Sequence, residues 1–173
     1  MSEILNLNIQ SEIGELEGVI LHTPGAEVEN MTPGTAQRAL YSDILNLSIA
    51  KNEYEQLSGV LEKYTRTFHV SKLLENVLAN YSQRESLIKK ICVAEGALEY
   101  YDELMDMPSK ELSGALIEGA PARKNTLTAY LSDEYYALYP LYNFYFTRDA
   151  SVTIGSNALI CRMANKVRMR ESF

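Results

Sequence analysis

The sequence predicts an α/β fold that is interrupted by a helical insertion. Strand-like sequence at residues 16–22 and 65–70 flanks an amphipathic stretch at residues 43–64, and the order strand, helix, strand is typical of an α/β unit. Residues 71–135 then show short helical segments and no convincing strand. Strand-like sequence resumes at residues 143–146. We therefore expect an α/β chain with a bundle of helices inserted between two strand-containing parts.

The first region is assigned to residues 1–70, where the order strand, helix, strand predicts the start of an α/β unit. Its first strand closes at the turn signal Thr23-Pro24-Gly25. Thr32 followed by Pro33 predicts a helix start, with Thr32 as the cap and Pro33 at the first helical position. Apolar residues then recur at helical spacing over residues 43–64, which predicts one long amphipathic helix before the second strand.

The helical insertion is assigned to residues 71–140, and a further strand-containing region to residues 141–173. Helices are predicted near residues 71–80, 84–94, 96–106, 109–118 and 125–138. Pro108 and the sequence Gly119-Ala120-Pro121 separate neighbouring segments. In the last region, strands are predicted at residues 143–146, 152–154 and 158–162, the last two forming a hairpin around a turn at 155–157.

Composition excludes several classes of function. The chain has 173 residues and a net charge of −7, which argues against a nucleic-acid partner. No apolar run reaches the roughly 20 residues that span a bilayer, and no signal-peptide pattern opens the chain, so a cytoplasmic location is expected. Cys92 and Cys161 lack metal-ligand spacing and are expected to be small core residues. No phosphate-binding loop or metal constellation is visible, and no cofactor is expected.

The most informative stretch joins an aromatic run to a pair of opposite charges. Residues 143–149 read Asn-Phe-Tyr-Phe-Thr-Arg-Asp, and Arg168 follows nineteen residues after Asp149. A carboxylate at a strand end can bind a cation, and a guanidinium can bind a carboxylate with two hydrogen bonds. Such a site suits a ligand that carries both charges, such as an amino acid with a cationic side chain. Two alternatives stay open: Asp149 pairs only with Arg148, or Arg170 takes the place of Arg168.

Five sequence landmarks, taken in order, resemble the arginine deiminases. They are Ser11-Glu12-Ile13-Gly14, Val19-Ile20-Leu21-His22-Thr23-Pro24-Gly25, Glu29-Asn30-Met31-Thr32-Pro33, the run from Asn143 to Asp149, and Arg168-Met169-Arg170-Glu171-Ser172-Phe173. Arginine deiminases are guanidine-modifying enzymes that share the pentein β/α-propeller fold. The resemblance spans nearly the whole chain, and it implies a partial propeller, with the first unit and part of the second, carrying an inserted helical bundle.

The resemblance also implies a reaction and a set of contacts. Family members hydrolyse L-arginine to L-citrulline and ammonia through a cysteine thiolate, with a histidine as acid and base. Asp149 would hold the substrate guanidinium as a catalytic residue. Asn143 and Arg168 would bind the α-carboxylate, and Phe146 would pack against the apolar stem of the substrate.

The sequence departs from the family in its catalytic groups. Family members supply a glutamate, a His-x-Asp element and the nucleophilic cysteine from positions later than the one matched by Phe173. Neither His22 nor His69 lies in a His-x-Asp context, and neither cysteine matches the nucleophile. The resemblance therefore implies an amino-terminal portion that is inactive alone.

Two other functions stay open at this point. A chain with exposed strand edges could associate with itself as a homo-oligomer without catalysing a reaction. A related amidinotransferase or agmatine hydrolase would share much of the pattern. Arg168 distinguishes an agmatine hydrolase from an arginine deiminase, because agmatine has no carboxylate for this residue to bind.

Overall fold

The protein has a mixed α/β structure, seen in a computed structural model that describes residues 6–173 apart from the side chains of Pro33, Gln37 and Arg38. The strands are β1 Gly18–Leu21, β2 Arg66–His69, β3 Ala120–Pro121, β4 Tyr136–Leu138, β5 Ser151–Ile154 and β6 Asn157–Ile160. The α-helices are α1 Ala26–Glu29, α2 Pro33–Arg38, α3 Leu47–Leu61, α4 Val70–Leu78, α5 Tyr81–Glu95, α6 Tyr101–Asp106, α7 Ser109–Glu118 and α8 Leu127–Leu131. Two 3₁₀ segments cover Leu98–Tyr100 and Lys166–Ser172. Within residues 6–173, no helix combines the length and apolar character needed to cross a bilayer.

The first region forms the strand, helix, strand unit that the sequence predicts. Strands β1 and β2 pair in parallel, from Gly18 opposite Arg66 to Leu21 opposite His69, and α3 connects them. The Thr32 hydroxyl accepts a hydrogen bond from the Thr35 backbone N–H at 3.3 Å, so the predicted cap of α2 is confirmed. Helix α3 begins four residues later than predicted, because Asn46 caps it through a 3.2 Å hydrogen bond from the backbone N–H of Ile49.

Helices α4 to α7 form the main hydrophobic core, close to the predicted bounds. Helix α4 packs against both α5 and α7. The core side chains are aliphatic with few exceptions, and they include Leu78, Ile88, Ile91, Cys92, Leu104, Leu112, Leu116 and Leu138. The predicted burial of Cys92 is confirmed. Helix α5 ends at Gly96, which adopts a left-handed conformation with φ of 71°.

Two predictions for the end of the insertion were wrong. The helix expected near residues 125–138 is limited to α8, and Tyr136–Leu138 forms a strand instead. This strand pairs with Ala120–Pro121, in a part of the chain where no strand was expected. Segments of two and three residues are too short for an alternating pattern to reveal them.

The predicted carboxyl-terminal hairpin is confirmed. Strands β5 and β6 pair antiparallel from Ser151 opposite Ile160 to Ile154 opposite Asn157. Outside the hairpin, Ile9 exchanges two backbone hydrogen bonds with Gly155, at 2.8 and 2.9 Å. Every residue of β6 is exposed, so the hairpin contributes little to the core. The expectation that Cys161, which follows β6, lies in a core was wrong, since its side chain is half-buried.

Gly119, between α7 and β3, is expected to tolerate no side chain. Its φ is +94°, and a Cβ there would lie 2.9 Å from two ring carbons of Pro140. We expect Gly119→Ala to lower the free energy of unfolding by about 2 kcal/mol or more, because strained backbone and overpacking add. Urea unfolding followed by circular dichroism measures this change.

Gly114 supplies the matched control, because it lies inside α7 and a Cβ there meets no neighbouring atom within 4 Å. Gly114→Ala is expected to stabilise the protein by roughly 0.5–1 kcal/mol, since alanine loses less backbone entropy in a helix. Equal effects of the two substitutions would contradict the proposed steric origin.

Candidate functional site

The aromatic run ahead of Asp149 forms consecutive turns, so the predicted strand at residues 143–146 was wrong. Three backbone hydrogen bonds of turn type follow one another, from Phe144 N to Leu141 O, from Phe146 N to Asn143 O and from Asp149 N to Phe146 O, at 3.0, 3.0 and 3.1 Å. Burial does not alternate here, because Leu141, Tyr142 and Asn143 are all buried in succession. Asp149 therefore lies at a turn just ahead of β5 and not at the end of a strand.

Asp149 and Arg168 contact each other directly. The Nη1 atom of Arg168 donates a 2.8 Å hydrogen bond to Oδ2 of Asp149. The alternative pairing of Asp149 with Arg148 is not formed, since Arg148 instead pairs with Glu12 on the surface. Opposite charges therefore meet in one place, and the predicted contacts of Asp149 and Arg168 with a ligand stay predictions.

The 3₁₀ segment Lys166–Ser172 positions Arg168. The Asn165 side chain accepts a 3.1 Å hydrogen bond from the Val167 backbone N–H and caps the segment. Arg170, two residues after Arg168, is buried, and its Nη2 atom donates to the carbonyl oxygens of Leu116 and Tyr139. Burial lowers the pKa of the Arg170 guanidinium to about 10. Arg170 therefore anchors the segment to the helical core, and Arg168 is the arginine beside Asp149.

Glu171 is a third charged member of the site that the sequence analysis did not identify. Arg168 donates hydrogen bonds to it through Nε at 3.0 Å and Nη2 at 2.7 Å, and the Glu171 side chain is 2% exposed. The bonds to Glu171, and next the bond to Asp149, raise the pKa of the Arg168 guanidinium above its ordinary value. The spacing of three residues between Arg168 and Glu171 indicates such a pair in the sequence, because side chains three residues apart face each other on a helix.

Phe146 lies beside the charged groups and faces solvent. Its ring centre is 6.0 Å from the guanidinium carbon of Arg168, and the residue is 47% exposed. The neighbouring Tyr145 ring lies 4.4 Å away, centre to centre. An exposed aromatic surface next to an ion pair can cover the apolar part of a ligand whose ends are charged.

Asn143 is held in a structural contact. It is buried, and its Nδ2 atom donates a 2.9 Å hydrogen bond to the carbonyl oxygen of Ala39. This contact joins the turn segment to the residues that follow α2. The predicted contact between Asn143 and a substrate carboxylate stays a prediction.

Tyr41 connects this site to the first region and was also missed by the sequence analysis. Its hydroxyl lies 2.5 Å from the Tyr145 hydroxyl and donates to the Tyr142 carbonyl oxygen at 3.2 Å. Burial, and next the hydrogen bond with Tyr145, raises the pKa of Tyr41 well above the ordinary tyrosine value. No local pattern reveals this residue, because its partners are more than a hundred residues away in the sequence.

Tyr41→Phe is expected to lower the free energy of unfolding by about 1 kcal/mol, the usual net value of a hydrogen bond. The raised pKa adds a pH dependence. Because the folded state resists ionisation of Tyr41, this residue's contribution is present at neutral pH and is lost as the pH rises above about 10. Urea unfolding across this pH range measures both effects, with the exposed Tyr130→Phe as the control. A wild-type pH profile that Tyr41→Phe leaves unchanged would contradict the assignment.

The two histidines lie outside the charged cluster of Asp149, Arg168 and Glu171. His22 Nε2 is 3.0 Å from Oε1 of Glu27, both side chains are buried, and the imidazole packs on Phe144. His69 is the last residue of β2.

Comparisons with known proteins identify the family. A family model described as arginine deiminase matches residues 37–173. Arginine deiminases from Listeria monocytogenes serotype 4b and from Lactococcus lactis subsp. cremoris are 33% and 35% identical to the chain, over 96% of its length. The arginine deiminase from Limosilactobacillus fermentum is 31% identical over the same share. The chain spans 44% of the length of each of these relatives.

The chain has a mixed α/β fold, and an aspartate and an arginine are in direct contact at its candidate site. The family match extends over most of the chain. This protein belongs to the arginine deiminase family.

Proposed function

We propose that this chain is the substrate-binding, amino-terminal part of an arginine deiminase, which hydrolyses L-arginine to L-citrulline and ammonia. Asp149 holds the guanidinium of the substrate, and Arg168 binds its α-carboxylate. Asn143 assists at the carboxylate, and Phe146 covers the methylene stem. The proposal is supported by the names of the relatives and by the charged cluster at Asp149.

The single observation that carries the proposal is the contact between Asp149 and Arg168. Arginine has the complementary charges, a guanidinium that matches Asp149 and a carboxylate that matches Arg168. The guanidinium and the carboxylate of arginine are separated by three methylene groups and the α-carbon, whereas Nη1 of Arg168 and Oδ2 of Asp149 are 2.8 Å apart. A ligand bound to both residues must therefore break the ion pair between them. Asp149 then pairs with the guanidinium of the ligand, and Arg168 pairs with its carboxylate.

The nucleophile is proposed to lie outside these 173 residues. In the reaction, a cysteine thiolate forms a bond to the guanidinium carbon, ammonia leaves with a proton from a histidine, and water then breaks the carbon–sulfur bond to give citrulline. Cys92 is buried in the helical core, and burial raises the pKa of its thiol, which disfavours the reactive thiolate. We therefore propose that the chain alone is inactive.

The proposal also assigns the three regions of the chain to parts of a pentein propeller, and it assigns the protein to a cellular location. Residues 1–70 correspond to the first unit of a pentein propeller, residues 71–140 to a helical insertion and residues 141–173 to the start of the next unit. The pairing of β1 with β2 and the separate core of α4 to α7 support the first two assignments. The cytoplasm is the proposed location.

The test is citrulline production from L-arginine by the 173-residue chain, beside a version extended through the reading frame that follows it in the gene. We expect activity in the extended version alone. Activity in the short chain would overturn the proposal that the nucleophile lies outside it. An extended version that folds and contains the His-x-Asp and cysteine elements, yet makes no citrulline, would overturn the proposed reaction.

Self-association without catalysis is a second candidate function, favoured by the exposed hairpin. Ile154, Leu159 and Ile160 are each at least 60% exposed, and strand edges of this kind pair readily with other chains. Light scattering over a concentration series tests this function. A monomer at every concentration would exclude it.

A further inference from the structure

One guanidinium is shared between two carboxylates that differ sharply in their surroundings. Arg168 contacts Asp149 through Nη1 and Glu171 through Nε and Nη2. The side chain of Glu171 is 2% exposed, that of Arg168 is 15% exposed and that of Asp149 is 46% exposed. The guanidinium therefore lies between a buried partner and a partner open to solvent.

The two contacts differ in strength. The two carboxylate oxygens of Glu171 accept hydrogen bonds from Nε and Nη2, on one edge of the guanidinium, and this two-pronged geometry is the stronger arrangement. Asp149 receives one hydrogen bond and is half exposed, so water can replace it at little cost. Removing the partner of a buried charge is costly by comparison. Of the two contacts, the one with Asp149 opens first.

We infer that Glu171 is a positioning residue, which holds Arg168 in place while Asp149 releases it to a ligand. The inference rests on the proposed function and adds a residue to it. With Glu171 occupying Nε and Nη2, the nitrogen offered to a ligand carboxylate is Nη1, the same atom that Asp149 contacts in the absence of ligand. Glu171 thereby fixes where the ligand carboxylate binds, without contacting the ligand itself.

Nitrogen-15 NMR of the Arg168 side chain in the 173-residue chain tests the inference without any catalysis. We expect Glu171→Gln to shift the Arg168 Nε–H signal and to speed its exchange with water by about tenfold. Asp149→Asn is expected to leave that exchange rate within about twofold. A larger effect of Asp149→Asn, or no effect of Glu171→Gln, would overturn the inference.

A matched control comes from Arg123, which also uses Nε and Nη2 to bind a glutamate, Glu103, on the surface. Glu103→Gln is expected to shift the Nε–H signal of Arg123 and to leave the Nε–H signal of Arg168 unchanged. If Glu171→Gln does not fold, Glu171→Asp keeps the charge with a shorter reach. In that variant, the chemical shift of the Arg168 Nε–H group is expected to lie between its value in the wild type and its value in the chain unfolded by urea. An unchanged chemical shift would overturn the inference.

Kinetics in the extended version give a second readout. We expect Glu171→Gln to raise KM for L-arginine about tenfold, with a much smaller change in kcat, because the carboxylate contact mainly binds substrate. A fall in kcat alone would overturn the positioning role. If the extended version has no activity, the proposed function fails, while the NMR result still decides whether Glu171 holds Arg168.

Discussion

Asp149→Asn is expected to lower kcat/KM for L-arginine in the extended version by about 10- to 100-fold or more. A hydrogen bond to a charged group contributes about 1.5–3 kcal/mol, and each 1.36 kcal/mol is a factor of ten in rate. Asparagine keeps the shape of the side chain but has no charge to match a guanidinium. Steady-state citrulline formation measures the change.

The same substitution is expected to have little effect on folding. The Asp149 side chain is 46% exposed, and exposed ion pairs stabilise proteins by less than about 1 kcal/mol. Asp133→Asn, at another exposed aspartate, is the matched control for activity and stability. Loss of activity that accompanies equal unfolding would show a structural role and would contradict the assignment of Asp149 to the substrate.

Leu112→Ala is expected to destabilise the chain by about 2–5 kcal/mol, the cost of a large-to-small substitution in a packed core. Leu112 is fully buried among α4 to α7, where it contributes to the largest hydrophobic cluster. Total stabilities of single domains are about 5–15 kcal/mol, so a loss of this size is a large fraction. Urea unfolding followed by circular dichroism measures it.

Leu131, in α8, is the control because its side chain is 70% exposed. Leu131→Ala is expected to change the free energy of unfolding by less than about 0.5 kcal/mol. Comparable losses at the two leucines would mean that the helical cluster is not the part of the chain that determines its stability.

The helices could be predicted because their signals are local. Apolar residues recur at helical spacing through α3, α4, α5 and α7, and proline and glycine mark their ends at Pro108 and Gly119. The turn segment before Asp149 could not be predicted, since its apolar side chains pack on distant partners. Tyr142 belongs to a buried cluster with Met31, Ala36 and Ala39, and Phe144 packs on His22. An alternating pattern indicates that residues are buried, but it does not indicate which surface buries them.

The candidate site was predictable in part for the same reason. Asp149 and Arg168 could be placed in one site because an aspartate at the end of an aromatic run and an arginine nineteen residues later suit a ligand that carries both charges. Glu171 was overlooked although it follows Arg168 at helical spacing, since a single acidic residue near an arginine is common. Tyr41 reaches the site through contacts with Tyr142 and Tyr145, which link opposite ends of the sequence and leave no local pattern.

Helix α3 has a consequence for the dynamics of the isolated chain. None of its fifteen residues is fully buried, although its apolar side includes Ile49, Leu57 and Val60. A helix of this length is marginal in water without tertiary packing. The hydroxyl of Tyr54 ties the helix to the residue that follows β1, by accepting a 3.0 Å hydrogen bond from the His22 backbone N–H. We therefore expect the amide protons of α3 to exchange with solvent through local opening, long before those of α5.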